Sequence, residues 1–318
     1  MTGAGGFIGS HLTERLASAG ANVRAFVHYN ALSRSGWLDE SPVREALEIV
    51  PGDITDRDSV RRAMENVDVV FHLAALIGIP YSYYSPASYV RTNIDGTLNV
   101  LQCARDFQVR RVVHTSTSEV YGTARSVPMS EEHPLQGQSP YSATKIAADK
   151  LAESYYLSFG LPVVTVRPFN VFGPRQSARA VVPTIICQCL SGTSVKLGNL
   201  SATRDLNFVA NTVDGFLQAA LSPSAVGRTI NIGSGREISI ADLANLVART
   251  INKDIVVETE ERRLRPDNSE VERLLADNSL ARTLLGWEPR VGLEDGLRVT
   301  IEWLARNMDR YRPSVYAI

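Results

Sequence analysis

Neither sign of charge is in surplus in this sequence: 33 Lys and Arg face 34 Asp and Glu, for a formal net charge of −1 at pH 7. A chain without basic excess lacks the footprint of a phosphate-backbone binder, so no nucleic acid is expected as a partner. Long apolar runs are missing as well. No stretch of about 18 apolar residues offers a membrane span, and the N-terminus lacks the basic, apolar, small-residue order of a secretory signal. A soluble, cytoplasmic protein with no membrane partner is the expectation. Cysteine is scarce, with 3 in all. Cys103 stands alone, and Cys187 and Cys189 share an apolar stretch with no second pair nearby, which reads as buried thiols rather than a disulfide or zinc framework. With 5 histidines and no carboxylates clustered at ligand spacing, no metal site is expected. Internal repeats and low-complexity segments are absent too.

What is present begins at once. Thr2-Gly3-Ala4-Gly5-Gly6-Phe7-Ile8-Gly9 spaces glycines at 3, 6 and 9, and Ile8, Leu12 and Leu16 follow at helical spacing up to Gly20. Such a turn needs glycine where φ is positive, where the backbone approaches a pyrophosphate, and where the helix packs close to its strand. The helix N-terminus then holds the anion. The pattern predicts an α/β fold, a Rossmann-type doubly wound parallel sheet, with Gly3, Gly6, Phe7, Ile8 and Gly9 at a dinucleotide.

The strand that should precede this turn is missing, because only Met1 stands before it. Such a strand is central in the sheet, and its loss would cost many kcal/mol against a typical margin of about 5 to 15. A truncated chain or a misassigned start is expected. A second strand is expected at 22–27. About 20 residues past the first glycines an acidic residue usually meets the adenosine ribose, but Val27-His28-Tyr29-Asn30 holds that place. The preference for NAD over NADP is therefore not written plainly; Arg34 could meet a 2′-phosphate or be a solvated loop arginine. Asp53 and Ile54, and Leu73, Ala74 and Ala75, follow further apolar strands and are expected to line the cofactor cleft.

Residues 111–114 read as a buried strand, and Thr115-Ser116-Thr117-Ser118-Glu119 follows at its carboxyl end, the edge where open α/β sheets bind ligands. Ser139 and Pro140 then open a helix as N-cap and first helical residue. That places Tyr141 and Lys145 on one face, where a lysine beside a phenol lowers its pKa and makes the tyrosinate a base for a hydroxyl. The Tyr-x-x-x-Lys spacing alone is common by chance; its order after a glycine turn and a hydroxyl-rich strand end makes it specific. Glu119 has a second reading as a structural cap on the next turn. His72 and His114 read as core histidines. Residues 258–265 read as a solvated loop, and the helices opening at Ser239 and at 297–304 as packing elements.

With these residues in view, the sequence resembles the extended short-chain dehydrogenases/reductases that act on nucleotide sugars. The resemblance covers essentially all 318 residues and runs through Thr2 to Gly9, Phe71-His72-Leu73-Ala74-Ala75, residues 93–99, Tyr141 to Lys145, Arg167-Pro168-Phe169-Asn170 and Leu285-Gly286-Trp287. Thr117-Ser118-Glu119 looks like the strand end of the family's dehydratases and decarboxylases. Residues 76–84, 135–141, 173–179 and 264–266 are most similar to 4,6-dehydratases for UDP- or GDP-linked N-acetylglucosamine of the legionaminic-acid type.

The resemblance implies a dinucleotide-binding domain at 1–170 and a smaller, discontinuous substrate lobe at 171–318, some of whose segments return to the first domain. It implies NAD as cofactor, with NADP left open, a nucleotide-sugar substrate, and a homodimer formed through helices around 95–107 and 141–158. Its catalytic residues would be Thr117, Ser118, Glu119, Tyr141 and Lys145. Tyr141 would take the C4 hydroxyl proton as C4 is oxidised. Glu119 would take the C5 proton and, because Ser118 is no acid, pass it to the departing C6 hydroxyl, with protonation of that hydroxyl by water as the alternative. Asn170 would contact the sugar diphosphate and Arg204 and Arg265 its phosphates, with Arg179 a candidate reader of the sugar. A UDP-glucuronate decarboxylase and a 4-epimerase are the alternatives within the family. A non-catalytic dinucleotide sensor is the alternative outside it.

Overall fold

The computed structural model describes residues 1–313, 315 and 316, so positions 314, 317 and 318 of the expected second lobe lie outside the described residues. The first half alternates helix and strand. α1 (Phe7–Ser18) leads into β1 (Val23–His28), then β2 (Leu47–Gly52), α2 (Arg57–Met64) and β3 (Val69–His72). Next come α3 (Ile79–Tyr84), α4 (Pro86–Tyr89), a π-helical stretch Val90–Asp95, and α5 (Gly96–Asp106). β4 (Arg111–Thr115), α6 (Pro140–Phe159) and β5 (Val163–Pro168) complete this half. The second half is made of shorter pieces: β6 (Val171–Phe172), α7 (Val181–Ser191), β7 (Ser194–Leu197), β8 (Thr203–Asp205), β9 (Asn207–Phe208) and α8 (Val209–Leu221). β10 (Thr229–Ile232), β11 (Glu237–Ser239), α9 (Ile240–Ile251), β12 (Val256–Thr259), α10 (Ser279–Leu285) and α11 (Leu293–Arg306) follow.

The valine-rich strands β3, β4 and β5 have little room for polar alternation, and β5 is buried at all 6 positions. Such runs suit a parallel sheet covered by helices on both faces. β10, β5, β4 and β3 pair in that order and β1 pairs with β2, all in parallel. Thr2 joins the two pieces, bridging Phe26 on one side and His72 on the other. The order β2-β1-Thr2-β3-β4-β5-β10 is that of a doubly wound dinucleotide-binding sheet, as the glycine turn predicts.

Among the described residues, Met1 and Thr2 alone stand between β1 and β3, which lie two strand spacings, about 9 to 10 Å, apart. Beside them a groove opens over Phe26, Met64 and Val70. The Met1 amine donates to the Arg24 carbonyl at 2.7 Å, and burial, with the Arg24 charge, brings its pKa down to about 5.

β10 returns from the second half to the main sheet, while β6 with β9, β8 with β11, and β7 with β12 form short two-stranded sheets. One apolar cluster runs from Leu12 and Val113 through Phe172 and Ile186 to Phe216 and Trp287, so both halves share a core. No helix among the described residues is long and apolar enough to cross a membrane.

Candidate active site

The glycine turn has the geometry its spacing predicts. Gly3 sits at φ +68, and a Cβ there would lie 2.7 Å from the Ala74 nitrogen; a Cβ on Gly9 would lie 2.0 Å from the Gly3 oxygen. Gly6 is the exposed N-cap of α1, whose first turn carries no acidic residue. The open N–H groups of Phe7 and Ile8 therefore face outward at the positive end of the helix, the arrangement that holds a pyrophosphate.

Thr2 fixes this turn to β3 by a chain of hydrogen bonds with one consistent direction. The Ala74 N–H donates to Thr2 Oγ1 at 3.2 Å, and the Thr2 hydroxyl donates to His72 Nδ1 at 2.8 Å. His72 Nε2 donates to Thr97 Oγ1 at 3.0 Å, and Thr97 donates to the Asn93 carbonyl at 2.7 Å. Burial keeps His72 neutral, its pKa held well below the ordinary value. His72 is thus a hydrogen-bonded core histidine, as expected from its strand. Asp53 turns one oxygen to Thr55 and sits 3.9 Å from His28, while Ile54 packs on Gly96. Leu73, Ala74 and Ala75 are half-buried after β3, at the same sheet edge.

The catalytic candidates meet where β4 ends. Thr117 is extended and caps a 3-10 turn, Ser118–Tyr121, by accepting the Glu119 N–H at 3.3 Å. Opposite it, Ser139 caps α6 in a reciprocal pair with Ser142, with Pro140 opening the helix. This cap brings Tyr141 and Lys145, both buried, against the strand end. Tyr141 stacks edge-on to Tyr89, ring centroids 6.2 Å apart. Burial pushes the phenol above its ordinary value, the Thr117 hydroxyl opposes this, and Glu119 and Tyr89 add to it.

Lys145 Nζ donates to the Thr115 carbonyl at 2.6 Å, which uses one of the three donors of its ammonium. Burial lowers Lys145 to about 8, against the opposing pull of Asp149. Glu119 is buried beside Tyr141 and Arg204, and its carboxylate makes no hydrogen bond to the described residues. Ser118 is buried in the same turn.

The second half supplies cations over this carboxylate. Arg204 on β8 donates to the Thr203 carbonyl at 2.9 Å and to Glu270 at 3.2 Å, and burial lowers its pKa. Arg265 comes to 3.9 Å from the same Glu270 oxygen, with a buried nitrogen that finds no partner among the described residues. Asn170 likewise buries an unpartnered side-chain oxygen at the end of β5. Arg204 faces both Glu270 and Glu119, and Arg265 comes near Glu270; the planar forks of the two guanidiniums suit the paired oxygens of a phosphate. Arg179 is exposed, bonded to Ser177 and close against Gly78. Arg175, at φ +71, is a strut that bonds Ser10 and Glu14 of α1.

Two residues of the site were not singled out from sequence. Glu270, the shared partner of Arg204 and Arg265, lies 66 positions from Arg204 and carries no local signal. Asp149 lies one helical turn beyond Lys145, and that spacing on a predicted helix could have found it.

Fold and site together define a dinucleotide-binding enzyme of the short-chain dehydrogenase/reductase kind. A family model described as GDP-mannose 4,6 dehydratase matches residues 1–300, and the chain belongs to that family of NAD-dependent nucleotide-sugar dehydratases and epimerases. It is 35% identical over 309 residues to a UDP-glucose 4-epimerase of Mycolicibacterium smegmatis, covering 95% of this chain and 97% of that one. It is 34% identical over 323 residues to a dTDP-glucose 4,6-dehydratase of Streptomyces griseus, covering 100% and 97%. Among solved structures, a dTDP-glucose 4,6-dehydratase from Streptomyces venezuelae with NAD bound superposes with a TM-score of 0.88 at 29% identity, covering 98% of each chain. The cofactor is NAD. The glycine cradle, which any Cβ would fill, and the uncapped start of α1 fit that group.

Proposed function

We propose that the protein is a nucleotide-sugar 4,6-dehydratase, with a UDP- or GDP-linked N-acetylhexosamine as the substrate class. The observation that carries this reading is Glu119, a largely buried residue beside Tyr141 whose carboxylate makes no hydrogen bond to the described residues and so is available to a substrate. A 4-epimerase gives such a group no task. The Gly3 to Gly9 turn would hold NAD, which when bound would supply a hydride acceptor for C4 and a hydride donor for C6. Thr117 hydrogen-bonds the C4 hydroxyl, and Tyr141 takes its proton, leaving a 4-keto sugar.

The ketone acidifies the neighbouring C5–H, which Glu119 removes as general base. Glu119 then gives that proton to the C6 hydroxyl, whose carbon–oxygen bond breaks with release of water, leaving a C5–C6 double bond. A proton equal to the one taken from O4 returns to C5 as C6 is reduced. The sugar loses one water and the cofactor ends as it began. Asn170, Arg204 and Arg265 hold the diphosphate, with Glu270 spacing the two arginines.

Ser118 leaves the turn without a second carboxyl to protonate the leaving hydroxyl. That observation favours the second reading, a 4-epimerase, whose chemistry ends with hydride returned to C4. Incubation with UDP-, GDP- and dTDP-linked hexoses, N-acetylhexosamines and UDP-glucuronate, followed by mass spectrometry, separates them. Loss of water with solvent deuterium entering C5 supports the dehydratase. An unchanged mass with the 4-epimer formed, or loss of carbon dioxide from the glucuronate, overturns it.

A further inference from the structure

The geometry points to Asp149 as a positioning residue that clamps the two halves of the catalytic apparatus, Tyr141 and Lys145 on α6 and the Thr117–Tyr121 turn after β4, into one rigid unit. Its carboxylate is buried and fully engaged. One oxygen accepts the Ser116 hydroxyl at 2.6 Å and two nitrogens of Arg167 at 3.2 and 3.0 Å; the other accepts His114 Nε2 at 3.1 Å. Asp149 therefore holds the residues on both sides of Thr115, whose carbonyl receives Lys145.

Through Arg167 the clamp reaches the turn that carries Glu119. Arg167 donates to the Tyr121 hydroxyl at 3.0 Å, and Tyr121 donates to Asn231 on β10 at 2.8 Å. Asn231 in turn donates to the Met129 carbonyl at 3.0 Å and its N–H is bound by Glu131 at 2.8 Å. Three segments, α6, β5 and the end of β4, thus meet at one carboxylate, and Arg167 extends the network to the turn and to β10. A surface ion pair would have little effect here, but a buried, multiply bonded carboxylate fixes geometry because any displacement strands a polar group.

The charged and titratable groups facing this carboxylate come from every packed element. Lys145 lies on α6 itself, His114 on β4 and Arg167 on β5. Tyr121 and Glu119 lie on the turn, His72 packs against His114 from β3, and Glu131 faces Arg167 from the segment beyond. Lys145 feels Asp149 as the charge that opposes its burial. Loss of the carboxylate should release Lys145's proton at lower pH as well as loosen the strand end.

This inference rests on the C4 oxidation of the reading above, a step dehydratases and epimerases share, and not on loss of water. The test follows transient formation of reduced nicotinamide when enzyme with NAD meets a sugar nucleotide. Asp149→Asn is expected to slow that step roughly ten- to a hundredfold, with KM nearly unchanged. Its alkaline limb should move to lower pH, because Asp149 raises the pKa of both Lys145 and Tyr141. Because the substitution strands Arg167 and could prevent folding, Ser116→Ala is the second variant; it removes one donor without stranding a charge and is expected to slow the same step about tenfold. A folded Asp149→Asn, or a Ser116→Ala, with wild-type rate and pH profile overturns the clamp. Wild-type enzyme that reduces no nicotinamide with any sugar nucleotide overturns the oxidation reading and the clamp together, before any variant is made.

Discussion

A single carboxylate separates the proposed chemistry from its alternatives. Glu119 has Tyr141 and Arg204 as neighbours and makes no hydrogen bond to the described residues, so Glu119→Gln keeps the packing while removing the base and its charge. The expected result is C4 oxidation at near wild-type rate with water loss slowed about 10²- to 10⁴-fold, read as accumulated reduced nicotinamide without dehydrated product. Dehydration at an undiminished rate would remove Glu119 from the mechanism. Tyr141→Phe is expected to abolish the oxidation itself, since it removes the phenol oxygen that takes the C4 hydroxyl proton. Much of this site was legible because its residues are placed by local structure: Ser139 caps α6, and Tyr141 and Lys145 follow on one face. The partners were not legible. Lys145 turns to the Thr115 carbonyl and Arg204 to Glu270, and such choices are made by tertiary packing across tens of residues.

The elements that position these side chains rest on a few backbone features. The α6 cap is reciprocal: Ser142's N–H donates to Ser139 Oγ at 3.1 Å and Ser139's N–H to Ser142 Oγ at 3.0 Å. Ser139→Ala should cost about 1 kcal/mol of stability, checked by urea unfolding, and should also weaken kcat because the lost bond lies beside Tyr141. At the other ligand, Gly9→Ala puts a Cβ 2.0 Å from the Gly3 oxygen; α1 must move away from the turn, and the purified protein should retain little NAD. A variant with full cofactor content would show that the turn tolerates the shift. The strands expected at 22–27 and 111–114 appear as Val23–His28 and Arg111–Thr115 because apolar runs between turn residues set them locally. The two-residue strands β6 and β9 and the π-helical stretch Val90–Asp95 have no such signal. β6 and β9 pair across some 36 positions and are selected only in the folded packing, while the π-helical stretch is a local widening of the helix that no apolar period marks.

Across the whole molecule, buried ionisable groups make stability depend on pH in two separate windows. Burial holds His72 and His114 below their ordinary 6.5. As pH falls through that value the unfolded chain takes up protons that the native state refuses, so stability falls with pH. Asp149 acts lower down: burial alone would raise it, but the His114 hydrogen bond and the Arg167 and Lys145 charges bring it from 3.8 to about 2. Its contribution is complete above the unfolded value of 3.8 and is lost as pH falls toward about 2. Glu131 and Asp205 run the other way, because burial raises both and the native state takes up their protons first. The histidine window is the one they do not offset until more acidic pH. Urea midpoints should therefore fall between about pH 7 and pH 5, and fall again below about pH 4. His72→Asn removes one of the titrating groups, so it should make the upper window shallower, His114 and the Met1 amine keeping the remainder, and leave the lower one in place. An upper window as steep in the variant as in the wild type would mean that His72 binds its proton in the native state, and the one-directional chain from Ala74 through Thr2 and His72 to Thr97 would have to be abandoned.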